Sequence, residues 1–334
     1  MHAVVLVGGF GTRLRPLTLS TPKPLLPIGN LPLLERLMAS LARGGVTDAV
    51  LSLGFKPEPF LRAFPSNVCA GVKLTYAVED RPLDTAGAIG FAARQAGINK
   101  SSETFLVANG DVLTDLDIAK LVSFHLSTGA QGTIHLTPVD DPSQFGVVET
   151  NSQGQVLRFV EKPEPGQSTS RNVNAGTYVF ETSVLERMPG VAPMSIERET
   201  FPEMVRDSQL FGFATTDYWI DAGRPDTYMR ANIELLQRKS IHAVTPVSAE
   251  SVVASSATVT LSTIDRGCTV GQNARIIRSV LLTGAKIDDN AVVVDSAVMG
   301  HIGSFAEVTS CLVGADGEVR SGAVLRDAKV PDPS

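Results

Sequence analysis

The sequence predicts an α/β protein in two parts, a mostly parallel sheet flanked by helices over residues 1–240 and a parallel β-helix over residues 241–334. Three observations lead there. The chain opens on an unbroken apolar run, Ala3-Val4-Val5-Leu6-Val7, which reads as a strand buried on both faces at a sheet centre. Apolar strand segments then alternate with helical patterns, the signature of βαβ units. After Lys239 the helical period disappears and aliphatic residues recur every five or six positions, at Val259, Ile264, Val270, Ile276, Leu281, Ile287, Val293, Val298, Ile302 and Val308. This spacing, with Gly, Asp, Asn and Ser between, suits stacked coils that lay one aliphatic row on another. A β-sandwich would sustain period-two alternation, and none persists.

Taken in order, the first strand leads to a helix over Leu33–Arg43, a strand over Asp48–Leu53 and a helix over Thr85–Gln95 capped by Asp84 or Thr85. A strand over Thr104–Ala108 precedes a helix over Asp117–His125, whose start Asp115 and Asp117 would cap. Residues 132–181 give shorter β-rich segments, expected to form a subdomain along one side of a cleft. Pro225 suits the first turn of a helix over Arg224–Lys239. Ligands of open α/β sheets bind beyond the carboxyl ends of the strands, so the loops there should carry the site.

With 334 residues, 43% hydrophobic and 19% charged, the chain can bury a sizeable core. A net charge of −6 argues against a sequence-independent nucleic-acid binder, which needs a basic excess. No apolar run reaches membrane-spanning length and the first one lacks the flanks of a signal peptide, so a cytoplasmic setting is expected. Cys69, Cys268 and Cys311 are odd in number and far apart, and read as small buried hydrophobes rather than a disulfide framework or zinc site.

Chemistry concentrates just after the first strand, in Val7-Gly8-Gly9-Phe10-Gly11-Thr12-Arg13-Leu14-Arg15-Pro16-Leu17-Thr18 and then Pro22-Lys23-Pro24. The glycines let backbone N–H groups approach a polyphosphate, and Arg13, Arg15 and Lys23 can neutralise it. A Rossmann fingerprint needs a third glycine where Leu14 stands, and a Walker loop needs Gly-Lys-Ser/Thr, so neither common nucleotide motif fits.

The stretch resembles the signature of sugar-1-phosphate nucleotidyltransferases, and most resembles their mannose-1-phosphate guanylyltransferase branch. The likeness continues in family order through Pro22-Lys23-Pro24-Leu25-Leu26-Pro27, Asn109-Gly110-Asp111, Phe145-Gly146-Val147-Val148, Glu161-Lys162-Pro163, Asn174-Ala175-Gly176-Thr177-Tyr178 and Trp219-Ile220-Asp221-Ala222-Gly223. It implies a Rossmann-like nucleotidyltransferase domain, and the tail resembles the left-handed β-helix of hexapeptide-repeat proteins. The implied reaction is attack of a sugar 1-phosphate oxygen on the α-phosphorus of GTP, releasing pyrophosphate and leaving GDP-mannose. Both reactants are anions, so such chemistry asks for positioning and charge neutralisation more than for a covalent nucleophile.

By the same resemblance, Arg13 holds the departing pyrophosphate, Lys23 the triphosphate, and Lys162 the sugar phosphate. Leu6, Val7, Gly9, Gly11 and Thr12 match the nucleotide loop, while Thr85 and Asn109 match segments near base and ribose. Gly146, Glu161, Asn174 and Gly176 match positions near the sugar, although Gly146 and Gly176 could simply serve β-turns. Asp111 and Asp221 follow apolar runs and make a natural pair of Mg2+ ligands, since magnesium takes one or two carboxylates beside water and phosphate. One departure stands out: Asp84 occupies the place where the family usually has Gly. Uridylyl or thymidylyl transfer to glucose 1-phosphate or another sugar 1-phosphate would use the same residues. A β-helix acyltransferase with His301 as base would need a partner for that histidine, and a non-catalytic regulatory relative would be expected to lose the catalytic ions. The β-helix is expected to make homo-oligomer contacts.

Overall fold

The opening apolar run forms the strand His2–Leu6, and it lies where an all-apolar strand must, inside a sheet with parallel neighbours on both sides. In the computed structural model, which describes residues 1–54, 57–100, 103–164, 166–238, 240–242 and 244–332, those neighbours are Asp48–Leu53 and Phe105–Asn109. Val72–Val78 extends the parallel centre beyond Asp48–Leu53. The β-rich stretch of residues 132–181, expected to form a subdomain along one side of a cleft, contributes its strands to the same sheet. Asn172–Phe180 pairs antiparallel with Phe105–Asn109, then carries Gly146–Thr150 and Gly132–Pro138. Its own apolar residues explain this: from Ala175 to Phe180 every side chain is buried, which a strand in a separate exposed layer could not achieve.

By contacts the chain divides into two compact units, Met1–Gly9 with Leu37–Trp219, and Phe10–Arg36 with Ile220–Ser334. This division cuts the chain elsewhere than the change of texture at residue 240, because the segment after Gly9 packs with the C-terminal elements. In the second unit the Tyr228 hydroxyl donates to the Pro27 carbonyl at 2.6 Å and the Gly29 N–H donates to Asn232 Oδ1 at 2.9 Å. Both partners stand on the helix Pro225–Gln237, which Pro225 opens as expected; Lys239, the expected end, lies outside the described residues. Arg36 is buried against the same turn, donating to the carbonyls of Ile28 and Gly29 at 2.6 and 2.9 Å. Burial lowers its pKa to about 10, partly offset by Glu35.

The tail is three five-stranded parallel sheets wound into a left-handed β-helix. Every residue of the aliphatic row from Ile264 to Val308 is in its core, and Val259 packs against it. A second row escaped the sequence reading. Buried Ser262, Ser279 and Ser296 each accept, through Oγ, the backbone N–H of the equivalent residue one coil on: Ser279, Ser296 and Cys311. The steps are 17, 17 and 15 residues, so the coils are tied at a corner despite unequal length.

The helix Asp84–Gln95 corrects the expected cap. Leu83 holds the N-cap position without a side-chain bond, and the N–H groups of Ala86 and Gly87 donate to the Met194 carbonyl at 2.8 and 3.1 Å. Asp84 has φ 55, the left-handed region that favours glycine, and its Oδ1 accepts the Thr85 N–H at 2.8 Å. The residue that replaces glycine therefore keeps a glycine-like backbone. For Ile118–Thr128 the expected Asp117 is the cap, accepting from Lys120 N–H at 3.2 Å, whereas the Asp115 N–H donates to the Tyr218 carbonyl.

Candidate active site

In the first unit Leu6 stands opposite Asn109 at the carboxyl ends of the parallel strands His2–Leu6 and Phe105–Asn109. The turn after Asn109 folds onto the end of the first strand. Gly110 N–H donates to the Leu6 carbonyl at 2.8 Å, and a Cβ on Gly110 would stand 2.7 Å from Val7 Cγ1. Gly110 thus lets Asp111 follow directly on the packed strand ends, a role the sequence reading did not assign. Gly9 has φ +100 with open space around its Cα, so its peptide is presented bare.

Asn109 in turn meets Gly176, where a Cβ would lie 2.6 Å from Asn109 Nδ2. Gly176 has φ +76 and sits where the pairing of Asn172–Phe180 on Gly132–Pro138 shifts register between Asn174 and Tyr178. Asn174 holds that bulge: its Oδ1 accepts the Gly176 N–H and its Nδ2 donates to the Tyr178 hydroxyl, each at 3.0 Å. Gly146 likewise serves no turn. It pairs with Glu161 within a strand, and a Cβ there would stand 2.5 Å from Phe159 Cζ and 3.0 Å from Glu161 Oε2.

Glu161 is half-buried, and its carboxyl is pushed above the ordinary range by burial and by Glu197, against the pull of Lys162 and Arg198. Lys162 Nζ lies 3.7 Å from Glu161 Oε1 with the lysine side chain 57% exposed. Its backbone has φ 48, directly before Pro163, a strained conformation of the kind that concentrates at functional positions. Glu197 is a neighbour the sequence reading missed. It stands on the π-helical turn Ile196–Thr200 and accepts hydroxyl bonds from Thr85 at 2.8 Å and Ser195 at 2.9 Å. The Thr85 Oγ1 also accepts the Ile196 N–H at 2.8 Å, so the hydroxyl expected near a nucleotide fastens the helix start to this turn.

In the second unit Gly11 has φ +57, and its carbonyl accepts the Thr18 hydroxyl at 2.8 Å and the Leu14 N–H at 3.0 Å. Leu14 and Leu17 are fully buried beneath, leaving Thr12 and Arg13 exposed on the turn. Lys23 follows on a turn bounded by Pro22 and Pro24, with its side chain only 16% exposed and its Nζ 3.8 Å from Asp221 Oδ1. The same oxygen accepts the Gly223 N–H at 2.7 Å. A Cβ on Gly223 would stand 2.5 Å from Lys23 Nζ and 2.7 Å from Asp221 Oδ1, so this glycine makes room for the pair.

Asp111 and Asp221 offer carboxylate oxygens alone, the hard donors that Mg2+ takes one or two at a time. Among the described residues no group of three or more His, Cys, Asp or Glu gathers to hold a metal by protein atoms. Carboxylate oxygens of this kind suit a hard divalent cation that completes its shell with water or phosphate oxygens. On the β-helix, His301 has a partner after all: its Nε2 lies 2.9 Å from Asp288 Oδ2, both side chains partly exposed on the coil surface. No helix among the described residues is long and apolar enough to cross a membrane.

The family model described as nucleotidyl transferase matches residues 2–238. The chain is 36% identical over 308 residues to the mannose-1-phosphate guanylyltransferase of Mycobacterium tuberculosis, covering 88% of this chain and 83% of that protein. It is 37% identical over 345 residues to the mannose-1-phosphate guanyltransferase of Gibberella zeae, covering 95% and 91%. Among solved structures, one from Bacillus anthracis assigned as a glucose-1-phosphate thymidylyltransferase superposes with a TM-score of 0.64 at 25% identity, covering 73% of this chain and 98% of that one.

Proposed function

The chain belongs to the nucleotidyl transferase family, and we propose that it transfers GMP from GTP to mannose 1-phosphate, giving GDP-mannose and pyrophosphate. The observation that carries the choice of sugar and base is the agreement of bacterial and fungal relatives at 36% and 37% identity over most of their length. Family membership implies a nucleoside triphosphate and a sugar 1-phosphate as substrates.

In this reading the buried Lys23 holds the triphosphate near the attacked phosphorus, and Arg13, exposed on its turn, takes the departing pyrophosphate. The glycine-loop positions Leu6, Val7, Gly9, Gly11 and Thr12 present backbone to the nucleotide, with Asn109 and Thr85 toward ribose and base. Lys162 neutralises the sugar phosphate, and Glu161 accepts sugar hydroxyls beside Gly146 and the bulge of Asn174 and Gly176. Nucleotidyl transferases of this family generally use a divalent metal; we assign it as Mg2+, with Asp111 and Asp221 as ligands. When bound it screens the phosphate charges as the α-phosphorus is attacked. Retention of Arg13, Lys23, Asp111, Lys162 and Asp221 favours an enzyme over a regulatory relative. A cytoplasmic enzyme that oligomerises through the β-helix completes the proposal, the latter supported by Val252, Phe305 and Val324 lying exposed there.

A panel of GTP, UTP and dTTP against mannose 1-phosphate and glucose 1-phosphate tests it. GTP with mannose 1-phosphate should give the highest kcat/KM, and preference for dTTP or UTP with glucose 1-phosphate would overturn the assignment.

A further inference from the structure

One sheet of the β-helix is made of Thr263–Ile264, Val280–Leu281, Ala297–Val298, Leu312–Val313 and Lys329–Val330, one strand from each coil. Within the second unit the segment bearing the glycine loop runs along this sheet coil by coil. Asn30 Nδ2 donates to the Ile264 carbonyl on the first coil at 2.9 Å. Ser20 Oγ donates to Met299 Sδ, beside the third strand, at 3.8 Å. Pro16 packs on Gly314, directly after the fourth strand. On the fifth, Lys329 Nζ donates to the Arg13 carbonyl at 3.4 Å. From Arg13 to Asn30 the chain therefore passes from the last coil to the first. The corner leading into this sheet is the one that the Ser262, Ser279 and Ser296 hydroxyls tie together, which makes the surface stiff.

We propose that this sheet is the bed of the triphosphate loop, and that Gly314 and Lys329 are positioning residues that set where Arg13 presents its guanidinium. The proposal rests on the reading of Arg13 as the pyrophosphate cation. Gly314 is not among the residues with positive φ, so its backbone does not demand glycine. The demand comes from Pro16: a Cβ on Gly314 would stand 2.9 Å from Pro16 Cβ and 3.2 Å from the Pro16 carbonyl oxygen. Leu14 and Leu17, fully buried on either side of Pro16, leave the loop no slack to absorb such a push locally. The displacement would pass to Arg13, three residues away. Lys329 acts at the other end of the same turn by fixing the carbonyl of Arg13 itself.

The test compares Gly314→Val and Lys329→Ala with Glu318→Ala, a change at an exposed position on the last coil but in another sheet. Both positioning variants should raise the KM for GTP about 10-fold or more, because small misplacements of a binding group are costly, and leave the KM for the sugar 1-phosphate unchanged. They should also speed tryptic cleavage after Arg13, a readout that needs no turnover; Glu318→Ala should move neither. Should Gly314→Val not fold, Gly314→Ala and Lys329→Ala carry the same comparison. Unchanged cleavage overturns the bed whether or not the enzyme turns over GTP, and in an active enzyme an unchanged GTP KM overturns the positioning role. If the wild-type protein accepts no GTP while the variants are cleaved faster, the bed stands and the substrate assignment falls.

Discussion

Lys23 and Lys162 each pair with a carboxylate at nearly the same distance, 3.8 and 3.7 Å, yet the protein holds them by opposite means. Lys23 is mostly buried, its turn bounded by two prolines and its ammonium given room by Gly223. Lys162 is mostly exposed, and it is aimed by a left-handed backbone before Pro163 rather than by packing. One cation is fixed by the packing around it and the other is aimed by its own backbone. A triphosphate is chemically constant, so Lys23, proposed as its cation, can be fixed in advance by packing. Lys162, proposed for the sugar phosphate, stays accessible, and there the backbone carries the cost of orientation, about 1–2 kcal/mol for a non-glycine residue in that region.

The sharpest way to break this comparison is Lys23→Ala, expected to lower kcat/KM by about 10²–10³. Lys23→Arg should not rescue it, because the larger head group meets the crowded Gly223, and Gly223→Ala should itself cost activity by pressing on Nζ. Steady-state kinetics with varied triphosphate decides; full activity in Lys23→Arg would show that the cation is not fixed by packing. Next in size is Lys162. Lys162→Ala should lose about 10²-fold, mainly as a higher KM for sugar 1-phosphate, while Lys162→Gly should lose as much activity yet gain about 1 kcal/mol in urea unfolding by relieving the positive φ. Activity lost without a stability gain in the glycine variant would remove the strain from the argument.

The smallest effect concerns Glu161, whose carboxyl is raised by burial and by Glu197. A raised folded value means the native state binds more protons than the unfolded chain between the ordinary carboxylate range and that raised value. Stability therefore falls as pH rises through this window. Glu161→Gln should flatten that fall, leaving Tm at neutral pH equal or higher by no more than about 2 °C, while weakening sugar 1-phosphate binding. A Tm profile of the variant parallel to that of the wild type would show that Glu161 is not the group responsible.

Much of this architecture is written in local pattern. The Ala3–Val7 run and the aliphatic row of the tail show as patterns among residues a few positions apart, and Pro225 and Asp117 act on the starts of their own helices, so periodicity and capping rules reach them. The motif order from Gly9 to Asp221 likewise points to the family, which the match over residues 2–238 shows. The β-rich stretch of residues 132–181 gave no sign of the sheet it joins, because strand count and polarity do not say which edge a strand takes. Only the burial of Ala175–Phe180 against Phe105–Asn109 placed it in the main sheet.

By itself, the sequence determined the two textures of the chain, the strand that opens the sheet, the family, and the charged residues available for phosphate chemistry. Tertiary structure alone decided what those residues rest on. A side chain at Gly223 would be crowded because Lys23 arrives beside it from 200 positions earlier, and Thr85 is committed to Glu197, 112 residues away. The β-helix underlies the glycine loop through Lys329 and Arg13, 316 residues apart. Such contacts leave no periodic trace, because their partners are chosen by the folded path of the chain and not by spacing along it.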